Sequence, residues 1–104
     1  MKESPIFTAT CEAIEEMSDL SRLEARGTVR LAMKAAGLEV HDVTSREMLA
    51  LLNTLMPREL EARAVADVEK VIEHARGAVK AVGAQSEPGS AEQLFETIAG
   101  RLRR

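Results

Sequence analysis

The chain has 104 residues, a mass of 11.3 kDa and a net charge of -3, which matches the about 100–150 residues of one typical domain. A hydrophobic fraction of 45% beside 30% charged residues excludes a disordered polyelectrolyte, and two Phe with no Tyr or Trp exclude base-stacking single-strand binding and an aromatic membrane belt. One Cys excludes an internal disulfide framework and points to a reducing compartment, so the expected location is cytoplasmic.

Residues 1–20 include Lys2, Glu3, Glu12, Glu15, Glu16 and Asp19, so no apolar signal core is expected there. No window approaches the roughly 18 consecutive apolar residues of a membrane span. The first predicted helix covers Pro5 to Met17, with Ser4 as N-cap and Pro5 at the first helical position. Ile6, Phe7, Thr10, Cys11, Ile14 and Met17 fall within one arc of its wheel, and Glu12, Glu15, Glu16 and Asp19 on the other.

Ser21 and Glu24 form an S-x-x-E capping box that starts the second helix, with Leu20 and Ala25 spaced as a hydrophobic staple. Gly37 stops it. Thr28, Val29, Leu31, Ala32, Met33, Ala35 and Ala36 give an apolar arc wide enough to predict a central helix with several neighbours. Arg22, Arg26, Arg30 and Lys34 line its polar side as a basic stripe.

Leu38–Val43 reads as a short connection whose Leu38, Val40 and Val43 tuck inward. Thr44 and Glu47 form a second capping box, and the third helix is expected from Ser45 to about Met56. Pro57 ends it or restarts the chain as a new first position. Glu59 and Arg63 are an i,i+4 ion pair, Leu60 fits the following pattern poorly, and a kink is expected near Val65–Asp67, with Asp67 as a new cap. Val65, Val68, Ile72, Ala75, Val79 and Val82 then alternate steps of three and four, widened by Val71 and Ala78. Fewer than three heptads, with a widened seam, belong to a globular bundle rather than a two-stranded coil.

Gly83–Ser90 is linker-like in composition, and Ser90 with Gln93 opens a last amphipathic helix carrying Leu94, Phe95, Ile98 and Leu102, followed by Arg101, Arg103 and Arg104. The expected fold is therefore all-α: a small irregular bundle of four to five helices with a C-terminal helix on a flexible linker. The expected division is a core at 1–83, a linker at 84–90 and the last helix at 91–104.

Motifs for phosphate, dinucleotide, zinc, calcium or serine-nucleophile chemistry are missing from the sequence. His41–Asp42 has the residue types of a base and its orienting carboxylate, but no nucleophile or second ligand stands at a matching spacing, which favours a solvated loop pair. His74 falls on the polar side of the heptad helix, and Cys11 on an apolar face beside acids that raise a thiol pKa. No catalytic, cofactor-binding or metal-ligating residue is assigned and no cofactor is expected, and the balance leans against an enzyme. A helix-turn-helix is disfavoured, because Leu38–Val43 is too long for its turn and the third helix too apolar for a groove.

What remains is charge and apolar surface. The acidic and basic lines are expected to lie side by side and pair in part, within the chain or across a dimer. Four strong apolar stripes, with Met17, Met33, Met48 and Met56 as adaptable filler, are hard to bury in so small a monomer. The expected function is a non-catalytic interaction or regulatory module, a homodimer with room for a further protein partner and no membrane. Partner binding is assigned to Arg22, Arg26, Arg30, Lys34, Leu94, Phe95, Ile98 and Leu102. The alternatives are a nucleic-acid-associated regulator using the basic stripe and a small-ligand-binding bundle.

Overall fold

The structure is a computed structural model and describes residues 2–86. Among these it is all-α, with no strand: α1 Pro5–Met17, α2 Arg22–Ala35, α3 Ser45–Asn53, α4 Met56–Ala62 and α5 Val68–Ser86. The linker at 87–90, the Ser90–Gln93 box and the helix at 91–104 lie outside the described residues. Residues 84–86, assigned to the linker from composition, continue α5.

The helices begin where the sequence supplies caps. The Ser4 hydroxyl accepts from the Ile6 amide at 3.1 Å and donates to the Val43 carbonyl at 2.9 Å, while the Ser4 amide donates to the Val40 carbonyl at 2.8 Å. One buried serine thus caps α1 and fastens it to the connection between α2 and α3. The two expected capping boxes among the described residues form, at Ser21–Glu24 and Thr44–Glu47.

Two helices end the same way. The Leu38 amide donates to the Met33 carbonyl and the Gly37 amide to Lys34, a Schellman closure with Gly37 at φ 74°. At the end of α4 the Val65 amide donates to Leu60 and the Ala64 amide to Glu61, with Ala64 in the same left-handed region at φ 58°. Asp67 follows at φ 52°, and its main-chain carbonyl accepts from the Lys70 and Val71 amides as α5 begins. The expected kink is therefore a full break between two helices.

The third expected helix is split. It stops at Asn53, short of the predicted Met56, and α4 restarts with Pro57 in its first turn. The cause is local: Pro57 has no amide to give the Asn53 carbonyl four residues back, and its ring crowds that oxygen. Because α4 keeps its own phase, Met56 and Leu60 both point inward and are fully buried, which explains why Leu60 did not fit the pattern that follows it.

The core gathers around α5, which runs against α1 along most of its length and also meets α3 and α4. Val71, Ile72, Ala75 and Val79 are buried there, and Val68, Ala78 and Val82 are packed at its margin, so the heptad-like seam is satisfied inside the chain. The α2 helix packs against α1 and α4. It lies at the edge of the bundle, not at its centre as its wide apolar arc predicts. Ala25, Thr28, Val29, Ala32 and Met33 are buried, but Leu31, Ala35 and Ala36 face outward.

The two Schellman positions make a reciprocal test. Ala64 is exposed and bears a Cβ where glycine is unstrained, whereas Gly37 has none. Ala64→Gly is expected to stabilise the fold, and Gly37→Ala to destabilise it, each by about 1 kcal/mol in urea unfolding followed by circular dichroism.

Candidate functional site

The outer side of α2 and the segment before α1 form the most elaborated polar surface. Glu3 stands one residue ahead of the Ser4 cap, and its Oε2 accepts from Nη2 of Arg26 and, at 2.7 Å, from Nη2 of Arg30. Both guanidinium groups lie over the Phe7 ring, at 5.2 Å and 5.6 Å from its centroid. The ring is fully buried within the core and offers the arginines its face. The Arg26 hydrogen bond, with Arg30 adding to it, holds the Glu3 carboxyl below the usual carboxylate range, and in return Glu3 raises the Arg26 pKa. Beside this cluster, His41 Nδ1 lies 3.2 Å from the Lys2 carbonyl oxygen, so the exposed loop touches the same N-terminal segment.

Arg26 is half-buried, and Arg22, Arg30 and Lys34 are exposed. Pairing of this stripe with the acids of α1 is expected within the chain or across a dimer. Within the chain the two lines lie apart: Arg26 and Arg30 of α2 sit over Phe7 of α1, while Glu12 and Glu16 line the flank of α1 facing α5. Glu16 instead meets His74 of α5, Oε1 to Nε2, at 3.1 Å. Glu3 escaped attention because it belongs to no helix and so to no periodic pattern; its only signal is an acid immediately before a capped, proline-started helix. Leu94, Phe95, Ile98 and Leu102 lie outside the described residues.

A second feature shares α2. Leu23 is 81% exposed and Leu31 53% exposed, two turns apart on one ridge. Gly27 sits midway, and a Cβ placed on it would meet nothing within 4 Å among the described residues. Leu31 belongs to the arc expected to be buried, and Leu23 carries no periodic signal because it stands in the first turn between Arg22 and Glu24.

The groups considered for chemistry stay apart. Burial pushes the Cys11 thiol up to about 12, and the flanking Glu12 contributes little beside that, so desolvation rather than the expected acidic neighbours is the main cause. Among the described residues, no three His, Cys, Asp or Glu side chains converge as a metal site. Surface grooves are present between α1 and α5, about 750 Å³, and between α5 and the α3–α4 region, about 450 Å³. No helix of the described residues is long and apolar enough to cross a membrane. No family model, curated protein or solved structure matches the chain.

The Glu3 cluster has a defined pH signature. Folding keeps Glu3 ionised to lower pH than the unfolded chain does, so its stabilisation is complete above the ordinary carboxylate range and is lost as pH falls through the lowered value. Glu3→Gln removes the charge at every pH. The thermal midpoint of the native protein is expected to exceed that of Glu3→Gln at neutral pH, with the difference shrinking on the acid side.

Proposed function

We propose that this chain is a non-catalytic interaction module that forms a homodimer through the outer ridge of α2. The observation that carries this reading is the exposure of Leu23 and Leu31 on either side of Gly27. Scattered exposed leucines need no explanation, but two aligned on one ridge over a small residue form a surface into which another helix fits.

The ridge is self-complementary. An antiparallel pairing of two α2 helices about a two-fold axis at Gly27 sets Leu23 of one subunit opposite Leu31 of the other. The same operation brings Glu24 opposite Arg30, so unlike charges flank the apolar contact. A contact built on one helix per subunit lies at the small end of interfaces, since stable complexes bury about 1,200–2,000 Å². Association is therefore expected to depend on concentration, leaving room for a protein partner that covers the ridge more fully.

The basic stripe lends less support to nucleic-acid binding. Glu3 engages Arg26 and Arg30 and partly neutralises their charge, which leaves Arg22 and Lys34 to carry the positive surface. The small-ligand reading rests only on open grooves. A single free, buried cysteine is in keeping with a cytoplasmic setting.

Sedimentation velocity with interference optics, over a concentration series, tests the proposal. The native chain is expected to shift from monomer to dimer as concentration rises, and Leu23→Lys to remain monomeric. At a side chain so exposed, Leu23→Lys should alter stability by no more than about 0.5 kcal/mol. A native chain that stays monomeric throughout, or a Leu23→Lys variant that dimerises like it, overturns the reading.

A further inference from the structure

Arg26 and Arg30 stand one turn apart on α2, so their side chains leave the same face. Both guanidinium groups lie over the Phe7 ring, at 5.2 Å and 5.6 Å from its centroid, and that ring is fully buried. The core therefore fixes both donor groups before any ligand arrives, which lowers the entropy that binding must spend. The pair is also accessible: the Arg26 side chain is 22% exposed and the Arg30 side chain 53%.

Glu3 matches this pair incompletely. A single oxygen, Oε2, accepts from Nη2 of both arginines. One carboxylate brings one negative charge to two positive ones. Arg22 and Lys34 extend the stripe at either end and form no ion pair among the described residues. A phosphate monoester carries about -1.5 to -2 charges at neutral pH and three acceptor oxygens. Each guanidinium can then take an oxygen of its own, and charge-assisted pairs of this kind are the stronger ones.

Glu3 can also leave without undoing the fold. It lies in the irregular segment ahead of α1. The chain is anchored there by Ser4, through its own amide and hydroxyl, to Val40, Val43 and Ile6. Rotation of the Glu3 side chain breaks none of those bonds.

We propose that Arg26 and Arg30, held over Phe7, form a binding site for a phosphate monoester, and that Glu3 occupies the site within the chain until such a group displaces it. The site goes beyond the α2 dimer and does not depend on it. Glu3 is an internal competitor: it sets a threshold that the incoming anion must exceed. A monoanion gains nothing over Glu3, whereas a dianion does, so the site selects by charge.

Titration of methyl phosphate into 15N-labelled protein tests this, at constant ionic strength and a pH of about 7.5, where a monoester is mainly dianionic. The Nε–Hε resonances of Arg26 and Arg30 are expected to shift and saturate. Glu3→Gln is expected to bind about fivefold more tightly than the native chain, since two partly exposed ion pairs no longer compete. Adding Arg30→Gln should abolish that gain, with circular dichroism showing the bundle folded. Glu12→Gln makes the same change in net charge on an exposed face of α1 and should give no gain. A short alanine peptide with a central phosphoserine separates the sources: tighter binding than methyl phosphate assigns the site to a phosphorylated protein segment, and equal binding to a free phosphate ester. Equal affinity in the native chain and Glu3→Gln overturns the proposal, as do shifts that never saturate. Acetate binding as tightly as methyl phosphate overturns it too. The gain is expected to persist in a Leu23→Lys background, where α2 pairing is removed; its loss there would overturn a site built within one chain. Sedimentation of the native chain decides only the α2 reading.

Discussion

The bundle depends on the two-sided burial of α1. One flank packs along α5 and the other against α2, so Ile6, Phe7, Ile14 and Ala13 are all nearly inaccessible on a single 13-residue helix. Full burial of a large apolar side chain stabilises by about 1.5–3 kcal/mol, so Ile6, Phe7 and Ile14 make this helix a major contributor to the core. Ser4 fixes where the helix begins and, through Val40 and Val43, where the α2–α3 connection lies. The placement of α3, and of α4 after it, follows from that attachment.

That arrangement also sorts the charges. The strip of α1 left to solvent is narrow and acidic, and α2 is on its far side, so within the chain the two charge lines seen in the sequence do not face each other. Glu3 takes the role expected of the α1 acids, because it precedes the helix and can reach over the Phe7 ring to Arg26 and Arg30. A carboxylate shared by two guanidinium groups over an aromatic face is more ordered than an exposed helix-surface pair. Lys2, next to Glu3, meets His41 through its carbonyl, so the N-terminal segment is held from both sides.

Sequence legibility followed the range of the interaction. Caps, boxes and the Gly37 stop are decided within a few residues, and Ser4, Ser21, Thr44 and Gly37 all behave as read. The class of fold was legible for the same reason. Where α3 ends was not, because Pro57 forbids a bond to Asn53 without marking which residue begins the next helix. Nor was the exposure of α2 legible: a wide apolar arc states how much surface is available to bury, while the number of neighbours depends on how the other helices pack. Ala64 at a left-handed position was hidden too, since alanine carries no turn signal and the closure around it alone requires that conformation.

Leu23 and Leu31 are the residue of that geometry. An edge helix with an arc sized for several neighbours keeps part of it in water, and Gly27 between the leucines keeps the exposed part low enough for another backbone to approach. The interior does not require these side chains: Ala25, Val29, Ala32 and Met33 already complete the contact of α2 with the bundle. A glycine in the middle of a helix costs about 1 kcal/mol relative to alanine, and among the described residues no neighbouring atom needs the space it leaves. Packing among the described residues therefore accounts for neither the two leucines nor the glycine, and the proposed pairing of two α2 helices would use all three.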